Sequence, residues 1–220
     1  MDFLFLTKTF LFRGSTISEI QAILQCLGAS IKTFHKGTPI YHTGEIIECM
    51  GLVLSGSVNI ENNDVWGNKN ILSHIDAGQI FAETYACIPG EPLMVNVTAA
   101  EKTTVMFLNT ARLLQTCPHC CIHHNKLIKN LLQITAQKNL NLSCKILNTS
   151  SKTIRGRLLS YFSVQAMQYG SYQFTIPFNR QQLADYLSVD RSALSNELSK
   201  MKNEGILTYE KNTFILKQGL

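Results

Sequence analysis

Two stretches of this chain hold side chains whose types and spacing could do chemistry. One is Cys117-Pro118-His119-Cys120-Cys121-Ile122-His123-His124, with three thiols and three imidazoles. Thiolate and imidazole are suitable donors for zinc, haem iron or copper. On a helix, Cys120 shares a face with His123 and with His124. Cys117, at or before a helix start, would gain thiolate character from the helix dipole. The spacing matches no familiar zinc module, and no second cysteine pair stands nearby. Cys117, Cys120, Cys121, His123 and His124 are therefore weak ligand candidates beside the plainer reading, a junction between elements, and no cofactor is assigned. The other stretch is Arg191-Ser192-Ala193-Leu194-Ser195-Asn196, followed by Lys200 and Lys202. Arginine reads guanine with a bidentate fork, asparagine reads adenine, and serine bonds a base or a phosphate. Lys202, Lys211 and Arg180 suit phosphate oxygens. The alternative is a solvated face used for protein contacts.

Catalytic patterns are missing elsewhere in the sequence. His35, His42 and His74 are widely separated, with no His-x-His pair for a barrel metalloenzyme. No nucleophile turn and no glycine-rich phosphate loop is present, so an enzyme is not expected. Seven cysteines at irregular spacing do not describe a disulfide scaffold. With no secretory leader and no apolar run of roughly 18 residues, they point to a reducing cytoplasm and no membrane.

Charge is unevenly spread. Residues 1–110 carry six Lys/Arg against ten Asp/Glu, whereas residues 111–220 carry fourteen against five. A basic back half suits a polyanion, which attracts it through its field without specifying a sequence.

The elements that must position these groups follow from local patterns. Strand-like pieces run Ile31–Phe34, Thr38–Tyr41, Met50–Ser55, Ser57–Glu61, Lys69–Ile75, Val95–Ala99 and Thr103–Leu108, with glycines between or beside them. Many short strands at this spacing favour a barrel or jelly roll. A helix is expected over about Ser18 to Leu27, capped by Thr16 or Ser18. Pro118 can open a long helix reaching about Lys145, since the stretch holds no further Pro and no Gly. Leu127, Ile128, Leu131, Leu132 and Ile134 recur at helical spacing, continued by Leu140 and Leu142. That band is wide enough to pack on both the barrel and a partner helix. Leu127, Ile128, Leu131 and Ile134 are the expected dimer residues, the alternative being an intramolecular connector.

Residues 154–169 read as a helix whose inward face is Leu158, Leu159, Phe162 and Ala166. Asn179 caps Arg180–Leu187, with Gln182 at the capping-box position. Ser188-Val189-Asp190 turns the chain, and Asp190 caps a second helix from Arg191 to about Asn203. Leu194, Leu198 and Met201 form its core face, and Gly205 stops it. Ile206–Tyr209 and Thr213–Leu216 complete a hairpin. Helix, short turn, helix and hairpin make a winged helix-turn-helix, whose second helix enters the major groove in the DNA-binding form.

Barrel, long helix and winged helix in this order resemble the Crp/Fnr family of bacterial transcription regulators. The most specific element is Gln182-Leu183-Ala184-Asp185-Tyr186-Leu187-Ser188-Val189-Asp190-Arg191-Ser192-Ala193-Leu194-Ser195-Asn196-Glu197-Leu198, followed by Met201-Lys202-Asn203-Glu204-Gly205-Ile206-Leu207. Gly51-Leu52-Val53-Leu54-Ser55-Gly56-Ser57-Val58 is a weaker match in the barrel. The resemblance implies an α+β chain: an N-terminal double-stranded β-helix (jelly-roll) sensor domain, a long dimerisation helix and a C-terminal winged helix-turn-helix. The corresponding boundaries are 1–117 for a cyclic-nucleotide-binding-like effector domain, 118–147 for the helix and 148–220 for the DNA-binding domain. It also implies a homodimer on a palindromic double-stranded DNA operator that contacts RNA polymerase when a small-molecule effector is present.

The departures matter. The family's cyclic-nucleotide cassette pairs Gly-Glu with Arg-Ser about ten residues later. Here Glu83 fits, but Ala82 stands for the glycine, Leu93 for the arginine and Met94 for the serine. A buried phosphate needs a cation or several donors, so cyclic AMP is not the expected effector. Glu83, Leu93 and Met94 mark the pocket only weakly, and an apolar effector or an empty barrel suits them better. Only Cys26 precedes position 49, which argues against an N-terminal iron–sulfur cluster. Ser192 and Asn196 replace a glutamate and an arginine common in family recognition helices, so the operator should differ too. The remaining readings are a metal- or redox-responsive regulator using Cys117 to His124, and a scaffold module that has lost DNA binding.

Overall fold

The computed structural model describes residues 2–63, 69–114 and 122–217. The described chain separates into two compact units, Met1–Ala136 and Gln137–Leu220.

The first unit opens with α1 (Phe3–Lys8) and α2 (Ile17–Cys26). Thr16, not Ser18, caps α2. Its hydroxyl accepts from the Glu19 N–H, and its own N–H donates to the Glu19 carboxylate at 2.7 Å. These bonds and the Lys126 ammonium hold the Glu19 carboxyl down at about 2. The strands are β1 (Ser30–Phe34), β2 (Pro39–Tyr41), β3 (Cys49–Ser55), β4 (Ser57–Asn63), β5 (Lys69–Asp76), β6 (Ile80–Phe81), β7 (Asn96–Ala99) and β8 (Thr103–Asn109). Short helices α3 (Glu83–Ala86) and α4 (Thr110–Leu114) lie before β7 and after β8, and α5 spans Ile122–Thr149.

Two antiparallel four-stranded sheets result, ordered β1-β8-β3-β6 and β2-β7-β4-β5. The first sheet is covered on both faces, and this explains the continuous apolar run Leu52-Val53-Leu54. Met50, Leu52, Met106 and Leu108 pack with α1, α2 and the start of α5. The alternate residues Val53, Val105 and Phe107 meet Val58, Val97 and Ile75 from the other sheet. Alternation along a strand sends successive side chains to opposite faces, and here both faces are core.

The second unit holds the end of α5, then α6 (Ile154–Tyr169), β9 (Gln173–Thr175), α7 (Arg180–Leu187), α8 (Arg191–Asn203), β10 (Leu207–Glu210) and β11 (Thr213–Leu216). Its sheet order is β10-β11-β9. Leu158, Phe162, Phe174, Leu183, Leu194, Leu198, Met201 and Phe214 form one buried core, with the Phe162 and Phe214 rings 4.6 Å apart. On α6, Tyr161 is buried beside Leu158 and Phe162, while Leu159 and Ala166 are half-buried. This is the α+β arrangement expected from the sequence: a two-sheet β domain, a long helix and a winged helix-turn-helix.

Candidate nucleic-acid interface

The α7–turn–α8 segment is fixed by bonds that its own sequence supplies. Asn179 accepts from the Gln182 N–H at 2.9 Å, and Gln182 accepts from the Asn179 N–H at 2.9 Å. Such a reciprocal cap satisfies two donors that a helix start otherwise leaves open. Ser188 ends α7 in the left-handed region at φ +54°, a conformation costing a non-glycine residue about 1 kcal/mol or more. Asp190 then opens α8 by accepting from the Ala193 N–H at 2.9 Å.

Two arginines of α6 grip this motif. Arg157 donates to the Leu187 and Ser188 carbonyls, each at 2.9 Å, where α7 leaves acceptors open. Arg155 donates to Glu197 at 2.5 Å and forks onto both oxygens of Glu204 at 2.8 Å. The guanidinium lowers the Glu204 carboxyl, and the two carboxylates raise the arginine. Gly156 lies between them, where an added Cβ would sit 2.0 Å from the Ser151 hydroxyl.

On α8, Leu194, Leu198 and Met201 are fully buried, whereas Arg191, Ser192, Asn196, Lys200 and Lys202 are exposed and Ser195 is half-buried. Ser199 and Asn203 are exposed too. Ser199 follows Ser192, and Asn203 follows Asn196, each at i+7, on the face opposite the core. Sequence reasoning passed over them, although helical spacing alone carries that signal. Ser192 donates to the Asp190 carboxylate at 2.5 Å, and this bond leads the lowering of the aspartate's pKa. Lys211 is exposed at the hairpin turn with φ +51°. The Lys202 ammonium lies 5.2 Å from the Tyr209 ring centre. Arg180 is half-buried, its guanidinium 4.8 Å from the Tyr209 ring and 5.1 Å from that of Phe214. Burial pulls its pKa down, and its Nη1 is buried without a hydrogen-bond partner.

The weak pocket trio separates in the first unit. Glu83 is buried at the start of α3, just after Ala82, which adopts φ +60°. Leu93 is 2% exposed in the helix-side core, whereas Met94 is 70% exposed. Between the sheets, Tyr41 stands edge-on to Phe81 and Phe107 at 6.3 and 5.8 Å. Phe81 presses on Gly51, where an added Cβ would come within 2.2 Å of the ring.

The expected dimer residues of α5 differ in burial within the single chain. Leu127 and Leu131 are 1% and 5% exposed in the first unit's own core, with Ile128 and Ile134 packed against it. Leu132, Leu140, Leu142, Ile146 and Leu147 are exposed large apolar residues of α5. Asn130 ties the buried face down, donating to the Leu11 and Arg13 carbonyls at 2.9 and 3.0 Å.

Cys117, Cys120, Cys121 and the His123 side chain lie outside the described residues. His124, in the first turn of α5, is 5% exposed, and its Nδ1 has no hydrogen-bond partner. Cys49 and Cys87 are thiols raised mainly by burial. Among the described residues no three His, Cys, Asp or Glu side chains form a metal-ligating group, and no helix is long and apolar enough to cross a membrane.

Comparison with known proteins covers both units. The sequence model of the cyclic nucleotide-binding domain matches residues 31–119, and that of the Crp-like helix-turn-helix domain matches residues 156–218. The cAMP-activated global transcriptional regulator CRP of Salmonella typhimurium is 21% identical over 84% of this chain and 89% of its own. The Klebsiella aerogenes protein of the same name gives the same figures. Among solved structures, the Thermus thermophilus catabolite activator protein superposes with a TM-score of 0.52 at 19% identity, covering 96% of this chain and 94% of that one. The c-di-GMP responsive global regulator CLP of Xanthomonas campestris reaches 0.56 at 15% identity, over 93% of this chain and 100% of that one. At these identities the structural likeness is one of fold.

Proposed function

We propose, for a chain that belongs to the Crp/Fnr family of DNA-binding transcription regulators, that it acts as a homodimer on a palindromic operator in the cytoplasm. The observation that carries this reading is the two-sidedness of α8. Its apolar face is completely spent on the core, while Arg191, Ser192, Asn196, Lys200 and Lys202 are exposed on its other sides. Arg191 reads a guanine, and Ser195 and Asn196 read neighbouring bases. Lys200, Lys202 and Lys211 meet phosphates, as does Arg180 at the start of α7. The exposed stripe of α5 supplies the dimer contact, and RNA polymerase is the partner on a promoter.

The effector is a small molecule other than cyclic AMP. Leu93 is committed to the core and Met94 to solvent, so neither offers the cation or donors that a buried phosphate requires. Binding of the purified protein to a randomised duplex library tests both statements. The expected result is enrichment of a two-fold symmetric site whose affinity does not change on adding cyclic AMP. A protein that enriches no site is instead a scaffold module.

One observation favours a second input, a metal. His124 is buried with an open Nδ1, and Cys117, Cys120 and Cys121 precede it by seven, four and three residues. An imidazole so placed lacks only a ligand-accepting ion. Protein purified without oxygen should then carry near-stoichiometric metal that His124→Asn loses. Equal metal content in both proteins would end this reading.

A further inference from the structure

The α8 helix and its C-cap carry two carboxylates, Glu197 and Glu204, whose charge opposes binding to phosphate. Both are turned onto one side chain. Arg155 spends Nε on Glu197, and Nη1 and Nη2 on the two oxygens of Glu204. The two acids stand seven residues apart, so they share a helix face about 10 Å apart along the axis. That face lies to one side of the row Ser192, Asn196, Ser199 and Asn203 and looks toward α6. Glu197, with its side chain 17% exposed, is the most enclosed member of the trio.

We infer that Arg155 is a positioning residue for operator recognition, which fixes the rotation and axial setting of α8 against α6. This rests on the reading of α8 as the base-reading helix. A planar fork held at one point would let the helix pivot about it. Held at two points two turns apart, α8 can neither roll nor slide without breaking at least one charge-assisted bond. Base readout is sensitive to such shifts, because a bidentate bond to a base edge tolerates little misalignment. Phosphate contacts made by flexible lysines are not, because they depend mainly on charge and proximity. Arg155 therefore bears on specificity more than on general affinity for DNA. The same contact neutralises part of the acidic charge on a helix that must approach a polyanion.

The decisive variant is Arg155→Lys, which keeps the positive charge and removes the three-donor fork. Affinity is measured for the duplex that the wild-type protein selects and for a scrambled duplex of equal length, across a salt series. Arg155→Lys should weaken selected-site binding by about tenfold. Scrambled-duplex binding and the salt slope should stay within about twofold of wild type. Glu204→Gln tests the contact from the other side. It removes a negative charge, so scrambled-duplex binding should hold or rise while the selected-to-scrambled ratio falls. Thermal melts establish that each variant is fully folded at the assay temperature. The inference is overturned if Arg155→Lys keeps the wild-type ratio, or if it loses affinity equally on both duplexes. A wild-type protein with no selected site would overturn the base-reading role of α8 and this inference with it.

Discussion

Arg191 is the first residue of α8 and takes its direction from Asp190, which caps the helix immediately before it. The cap leaves the Arg191 side chain exposed at the N-terminal end of α8, the end that contacts base edges in DNA-binding helix-turn-helix proteins. Ser192, one residue on, is held back by its bond to Asp190 and must give up that partner to reach a base. Arg191 is therefore the stronger candidate for direct readout. Replacing it with alanine should cost roughly 1 to 3 kcal/mol on the selected operator and less on scrambled DNA. Titrations of both duplexes at one salt concentration check this. Equal losses would reassign Arg191 to a phosphate. Arg180 differs in kind, because its guanidinium already lies over two aromatic rings. Its removal would disturb packing as well as charge, so it is a poor probe of DNA contact alone.

At the scale of elements, the winged helix-turn-helix was legible because each boundary is written locally. Asn179 and Asp190 cap their helices through side chains placed three residues before the N–H they accept from. Leu194, Leu198 and Met201 repeat at helical spacing with no competing apolar face. The β domain was legible strand by strand, with boundaries close to those found. The sequence reading missed β6, a two-residue strand with too little sequence to alternate, the short helices α1 and α4, and the single-turn α3, whose N-cap Ala82 makes no side-chain bond. α5 was harder for a physical reason. It is apolar on two sides, and nothing local distinguishes the leucines buried against its own unit from those left open. Leu127 and Leu131 therefore looked like partner contacts until burial separated them from Leu140 and Ile146. Leu93 and Met94 pose the same difficulty, since the side of the chain on which a residue falls is decided by tertiary packing. The Arg155 contacts join residues 42 and 49 positions apart, and no local pattern announces such pairs.

For the whole molecule, the proposed dimer contact on the open side of α5 bears on how two copies of α8 would meet an operator. Leu132, Leu140, Leu142, Ile146 and Leu147 leave a long apolar stripe in water, and burying each such side chain against a partner contributes roughly 1.5 to 3 kcal/mol. A two-fold dimer covers the stripe with its own copy and needs no second sequence to do so. Such a dimer would also join two copies of α8 to one operator, so that the second half-site would be engaged at a high effective concentration. Such linkage strengthens binding by about 10² to 10⁴ without a new DNA contact. Leu140→Glu combined with Ile146→Glu should therefore yield a folded protein that sediments as a 24.7 kDa chain, with helix content unchanged because both sites are exposed in the single chain. Its operator affinity should fall by about two orders of magnitude or more, while the preference for one half-site over its scrambled version survives. Sedimentation velocity and titrations on full and half operators check the two halves of this expectation. A double variant that remains dimeric would move the interface elsewhere. One that is monomeric yet keeps full operator affinity would show that the winged unit reads DNA without a symmetric partner.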